Sequence, residues 1–320
     1  GEAGLVEGVA GSSLMPLAAA AGSAAPLTLT TAYLGDVAFG ASGAGGGLRV
    51  RIERWFAHAF GPWLQIETRG AVTDPTLALD YRTDLTAVWQ ERGAIYARDL
   101  PASGAPQPRL RLASAPGRVH IAALRSDDNR AIVVWSEQRA GTTRVYLDQS
   151  GTGVRFGAPQ LLERFQNPYG SAAPAASPQL VRLRSESVMV AWAGASAGHW
   201  AVRAAPIDQL GLRRVSTISP EGTDALLAAL APAPDGGALA LWTEPQLRGG
   251  APNPHSVAIA AARGIDTNPG LAAFAAPERV AAPGPYAAPS VAVDPRSDRA
   301  LAVWREAGGA LRYSLRTPPG

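Results

Sequence analysis

The chain has no cysteine. Neither a disulfide framework nor a thiolate site is available to it, so its stability has to come from packed secondary structure. Lysine is absent too, and all 29 basic residues are arginine, set against 26 acidic residues for a net charge of +3. Those arginines are spread along the whole chain instead of gathering in one stripe, which argues against a nucleic-acid partner. No Asn-x-Ser/Thr sequon occurs. The four histidines, His58, His120, His199 and His255, show no His-x-His or His-x-x-x-His spacing, and no acidic loop of EF-hand form is present, so no metal site and no cofactor are expected. The apolar stretch at 14–25 is too short to span a bilayer. Lacking a basic region ahead of it, it does not read as an intact signal peptide either, and export with the signal already removed is the expectation, giving an extracellular or periplasmic protein.

What the chain does have is a repeat. The run Ala300-Leu301-Ala302-Val303-Trp304-Arg305-Glu306 recurs upstream at 85–91, 131–137, 188–194 and 238–244, each time with its Trp in the same place, and a weaker version ends at Phe39. From Phe39 to Trp89, Trp135, Trp192, Trp242 and Trp304 the steps are 50, 46, 57, 50 and 62 residues. Six short β-rich copies at that period predict an all-β fold, a six-bladed β-propeller of four-stranded antiparallel blades forming a single domain over 1–320. The repeated Trp is expected to wedge between neighbouring blades, where an aromatic ring buries a large area.

The last copy runs out of chain before a fourth strand. Leu14-Met15-Pro16-Leu17 resembles the lead-in to the outer strand of other blades, so residues 12–20 are expected to close the ring as the outer strand of the C-terminal blade and remove two free edges.

The chain resembles secreted bacterial β-propellers with AVW-type second strands, a group related in architecture to the sialidases. The sialidase Asp-box finds its nearest counterpart in the segment Asp148 to Phe156, where the Asp-to-Gly spacing differs, and the Arg-Ile-Pro signature is absent. The resemblance therefore implies the fold and leaves catalysis open.

Other motifs read as turns. Gly194-Ala195-Ser196-Ala197-Gly198 fits the G-x-S-x-G pattern, but a nucleophile elbow requires a strand entering a helix and this one leads into His199-Trp200 on another strand. The glycines at 43–47 lack the Lys of a phosphate loop.

Two signals point to function. Thr73-Asp74 and Thr223-Asp224 open the innermost strands of blades two and five, which face each other in a six-bladed ring. A carboxylate pair there could hydrolyse a glycoside. Second, an acid stands two residues past four of the Trp residues: Glu91, Glu137, Glu244 and Glu306. Residues i and i+2 project to one side of a strand, so these acids form either arginine-paired struts or a ring of acceptors for a hydroxyl-rich ligand. The longest excursions, Phe165 to Pro178 and Pro245 to His255, are expected to emerge on one face and to carry Tyr169, Arg248, Asn253 and His255 there. The reading is a non-catalytic module binding a glycan or protein partner on that face. The enzymatic alternative is a glycan hydrolase using Asp74 and Asp224.

Overall fold

A computed structural model describes residues 13–14, 28–33, 36–42, 47–54, 59–67, 70, 72–126, 128–151, 155–170, 178–183, 187–208, 211–233, 237–248, 251–267, 271–294, 297 and 299–317. Most of them lie in antiparallel sheets, and the single helical turn among them is a 3-10 turn at Pro168–Gly170. Two compact units are formed, one from residues 1–133 and 147–160, the other from 134–146 and 161–320.

The first unit opens with a sheet of β1 (Ser13–Leu14), β2 (Thr28–Tyr33), β3 (Asp36–Ser42), β4 (Leu48–Arg54), β5 (Ala59–Phe60) and β6 (Leu64–Glu67), the last two both pairing with β4. The second sheet runs β7 (Thr73–Leu79), β8 (Leu85–Glu91), β9 (Ala94–Leu100) and β10 (Leu110–Ser114) in sequence order. The third has β11 (Arg118–Arg125), β12 (Ala131–Arg139), β13 (Thr142–Gln149) and β14 (Gln160–Gln166), and the division between the units passes through it.

In the second unit β15 (Gln179–Arg182), β16 (Val188–Ser196), β17 (His199–Asp208), β18 (Gly211–Leu212) and β19 (Ser216–Thr217) make the fourth sheet. The fifth consists of β20 (Leu226–Pro232), β21 (Ala238–Arg248), β22 (Ala251–Thr267), β23 (Leu271–Phe274) and β24 (Glu278–Gly284). A three-stranded sheet, β25 (Tyr286–Val293), β26 (Ala300–Glu306) and β27 (Leu311–Arg316), follows.

The repeated apolar runs are the second strands of sheets two to six. In β8, β12 and β16 the residues on both sides of the pleat are buried, which a strand covered on both faces requires. Trp89 lies in a cluster with Leu48, Val50 and Ile66 of the first sheet, Trp242 with Val181, Met189 and Val202 of the fourth, and Trp304 with Leu239 and Leu241 of the fifth. Each of these rings thus fills the seam between successive sheets, as the sequence predicts. In the second, third and fourth sheets the hairpins joining second to third strands are two-residue turns, Arg92-Gly93, Ala140-Gly141 and Ala197-Gly198, with positive φ at both positions, the conformation that matches strand twist in tight hairpins. The G-x-S-x-G segment is one of them. Gly194 has its own reason: a Cβ there would stand 2.5 Å from Glu163 Oε2, and that carboxylate accepts the indole N–H of Trp192 at 2.6 Å.

Two expectations are corrected. The described part of the 12–20 segment, Ser13–Leu14, pairs with Thr30 and Thr31 of β2 and not with the C-terminal sheet; the remainder lies outside the described residues. The edge of β2 is as good a hydrogen-bonding template as that of β27 and is far nearer along the chain, so less loop entropy is lost in reaching it. The stretch Pro245 to His255, expected as a loop, extends the β21–β22 hairpin, with Gln246 opposite Asn253 and Arg248 opposite Ala251. A register shift between Pro245 and Gln246 marks the irregularity that lets proline sit in this ladder.

At the end of β13, Asp148 is buried, with one carboxylate oxygen left without a hydrogen-bond partner. Burial is the main cause pushing its carboxyl up to about 6, opposed by the backbone N–H groups of Gln149 and Gly157. Because the folded-state value is raised, stability is lost as pH rises from the ordinary aspartate value of 3.8 through about 6. Asp148→Asn keeps the acceptor and removes the charge. It should stabilise the protein by about 1–2 kcal/mol at about pH 8 and by little below about pH 4, which urea unfolding at the two pH values measures.

Candidate functional site

The residues that come together in the second unit are Tyr169, His199 and Asp224. Asp224 stands just ahead of β20 and its carboxylate is buried. Its Oδ1 accepts the backbone N–H of Trp200 at 2.9 Å, and its Oδ2 accepts the phenolic O–H of Tyr169 at 2.5 Å. His199, first residue of β17, follows the Ala197-Gly198 turn and brings Nδ1 to 3.3 Å from Tyr169 Oη and 3.5 Å from Asp224 Oδ2. Its side chain is 30% exposed while that of Asp224 is 1% exposed. The imidazole and the phenol, the latter 37% exposed, are therefore the members of the group that face solvent, over a covered carboxylate.

Tyr169 sits in the 3-10 turn after β14 with φ 64° and ψ 13°. A bulky residue in the left-handed region is strained, and such strain persists where surrounding contacts hold it. Here the phenol is anchored on Asp224. Burial foremost, and then the hydrogen bond to Asp224, push its hydroxyl up to about 12, so it stays protonated. With the phenol donating to Asp224, its oxygen can accept from Nδ1–H of His199. That tautomer leaves the lone pair on Nε2. No described hydrogen bond uses Nε2, and the arrangement is that of an oriented base. Beneath it Phe165 meets Trp200 edge-on at 5.7 Å, in a cluster with Ala193 and Leu226.

In the first unit Asp74 has a related setting. A register shift in β7 between Thr73 and Thr76, with Asp74 at φ 47°, re-aims its side chain. The carboxylate accepts the backbone N–H of Ile121 through Oδ2 at 2.5 Å and lies 3.9 Å from His120 Nδ1 through Oδ1. Burial pushes its carboxyl up to about 6, while the Ile121 N–H and the charge of Arg118 act downward. Burial, and then Arg118, pull the His120 imidazole down. Asp74 and Asp224 belong to separate units, and each has a histidine neighbour of its own.

The glutamates after the Trp residues are already engaged. Glu91 takes Arg109 at 3.0 Å, and Arg109 lies over the Tyr96 ring and also reaches Glu67. Glu244 accepts the Trp242 indole N–H at 3.0 Å and pairs with Arg279 at 3.0 Å. Glu306 pairs with Arg312 at 3.0 Å, and Glu137 is buried. Arg248 is exposed at the end of β21 and Asn253 is half-buried in β22; His255 lies in β22. The structure brings Tyr169 and Asp224 together; Arg248, Asn253 and His255 sit instead on the extended β21–β22 hairpin. His199 carried no sequence signal, because its partners lie 30 residues before it and 25 after it. Among the described residues no group of three or more potential metal ligands occurs, and no helix is long and apolar enough to cross a membrane.

No family model matches the chain, and no curated protein matches it. Among solved structures it is similar to a polysaccharide lyase, an ulvan lyase, at 11% identity and a TM-score of 0.51, covering 91% of this chain and 78% of that one. The saccharide-bound form of an ulvan lyase gives 10% identity and a TM-score of 0.50 with the same coverage. A prolyl endopeptidase matches at 13% identity and a TM-score of 0.51 over 89% of this chain and 41% of that one. At such identities the likeness is one of fold, and the fold it supports is the β-propeller.

Proposed function

We propose that this chain is a glycan-cleaving β-propeller whose successive sheets form six blades, with His199 as its catalytic base. The observation that carries the proposal is the Asp224–Tyr169–His199 chain of contacts, which favours the tautomer with its hydrogen on Nδ1 and leaves Nε2 with no described hydrogen bond. The glycan substrate draws support from the fold shared with a polysaccharide lyase, and an extracellular setting suits such a substrate.

Both Asp224 oxygens are occupied and its side chain is covered, so Asp224 is ill placed to attack an anomeric carbon itself. Proton abstraction by an imidazole suits elimination at a uronate better than double-carboxylate hydrolysis. In that step Nε2 of His199 takes the proton α to the uronate carboxylate. The released electron pair forms the C4=C5 double bond as the C4–O bond breaks. The resulting imidazolium, or water, returns a proton to the departing oxygen. Asp224 and Tyr169 position the ring and stabilise its positive charge.

Tyr169→Phe tests the positioning role. It removes the O–H donor to Asp224 and the acceptor for Nδ1 while keeping the ring. Cleavage of uronate-containing polysaccharides should fall about 10- to 100-fold in kcat with KM little changed. An unchanged kcat would remove Tyr169 from the site.

A further inference from the structure

The first unit contains a second carboxylate–imidazole pair built by the same local rule as the first. In both, an aspartate that follows a threonine accepts the backbone N–H of the residue directly after a histidine: Asp74 from Ile121 after His120, and Asp224 from Trp200 after His199. In both, the histidine Nδ1 then lies beside the same carboxylate. The difference is the cover. Asp224 is sealed by Tyr169, whereas Asp74 has a side chain 32% exposed, and no tyrosine bonds to it among the described residues.

Three further features set the Asp74 pair apart. His120 Nε2 is buried and has no hydrogen-bond partner, a costly condition for a ring nitrogen. Arg118 stands two residues before His120 on β11, hence on the same side of that strand. It is exposed, and among the described residues no hydrogen bond or ion pair holds its guanidinium, although its charge acts on both Asp74 and His120. The bulge in β7, with Asp74 in the left-handed region, is the device that re-aims a side chain at sites of function.

We propose that Asp74, Arg118 and His120 form a separate binding site for a carboxylated sugar, with Arg118 taking the sugar carboxylate and Asp74 a sugar hydroxyl. A guanidinium fork matches a carboxylate through two parallel hydrogen bonds. The Asp74 oxygen facing His120 is a ready acceptor for a hydroxyl. A neutral sugar leaves Arg118 unused, so the site discriminates by charge. The choice of a sugar rests on the glycan reading above; the site itself does not depend on His199.

The test uses the whole chain and monitors the Ile121 amide by NMR, since that N–H donates directly to Asp74. Titration with glucuronate should shift the Ile121 resonance saturably, and glucose at the same concentrations should leave it in place. Arg118→Ala should weaken the glucuronate response at least tenfold, and Asp74→Asn should weaken it while leaving the far-ultraviolet spectrum unchanged. His199→Ala should lower cleavage by about a hundredfold or more and leave the response intact, which separates this proposal from the preceding one. No shift at Ile121, an equal shift with glucose, or a response unaltered by Arg118→Ala would each overturn it. If glucuronate binds and no polysaccharide is cleaved, this site stands and the catalytic reading falls.

Discussion

Arg125→Ala should destabilise the first unit by about 3–5 kcal/mol, the range seen when one partner of a buried ion pair is removed. The Arg125 guanidinium is 4% exposed as a residue. It lies 3.0 Å from Asp80 Oδ2, 3.4 Å from Asp99 Oδ1 and 3.8 Å from Asp84 Oδ2, and it donates to Thr86 Oγ1 at 2.8 Å. Thr86 in turn donates to Asp99 at 2.5 Å. Asp80 is fully buried and its Oδ1 accepts the backbone N–H groups of Arg82 and Asp84, so one turn between first and second strands is tied to the next sheet by one cation. Without Arg125 the carboxylates remain and their counter-charge does not.

The same substitution carries a pH signature. Burial holds the Asp99 carboxyl above its ordinary value, while the Thr86 hydroxyl and Arg125 act to lower it. Removing Arg125 raises that folded-state value further, so the variant gains stability, relative to the native protein, as pH falls and Asp99 becomes protonated. Urea unfolding at about pH 8 and about pH 5 should therefore give a larger loss at the higher pH. A loss below about 1 kcal/mol and independent of pH would show that water reaches these carboxylates.

His199→Ala should lower the rate of polysaccharide cleavage by about 10²- to 10⁴-fold with little change in melting temperature, because the ring is a partly exposed member of the site and supports no core packing. Asp224→Asn should cost a similar factor. An amide can accept from Trp200 N–H through its oxygen, but it then presents N–H where the phenol needs an acceptor, so the phenol no longer holds Nδ1–H, and the neutral group no longer stabilises the imidazolium. Activity retained in either variant, with folding intact, would dissociate catalysis from this cluster.

The Trp repeat made most of the architecture readable, because a strand buried on both faces has to be a continuous apolar run and the aromatic at its end fills a seam. β8 at Leu85–Glu91 and β26 at Ala300–Glu306 have the limits the repeat implies. The Pro245 to His255 stretch misled because proline and glycine signal loops locally, whereas pairing with an already formed hairpin carried both strands past the prolines. Ser13–Leu14 misled because an apolar segment can pair with any free edge. Of the candidate site, Thr223-Asp224 and Tyr169 were visible as residue types in suggestive positions. His199 was not, since what makes it a base is a carboxylate and a phenol supplied by distant segments. For the glutamates the sequence left both arginine-paired struts and ligand acceptors open, because nothing local shows that arginines such as Arg109 and Arg279 reach them.

The most direct test of the central claim is the product formed from a panel of uronate-containing polysaccharides, with native protein and His199→Ala in parallel. The account predicts an unsaturated uronate at the new non-reducing end, formed by the native protein and lost in the variant. No cleavage of any member of the panel, a saturated hydrolysis product, or an unsaturated product formed equally well without His199 would contradict it.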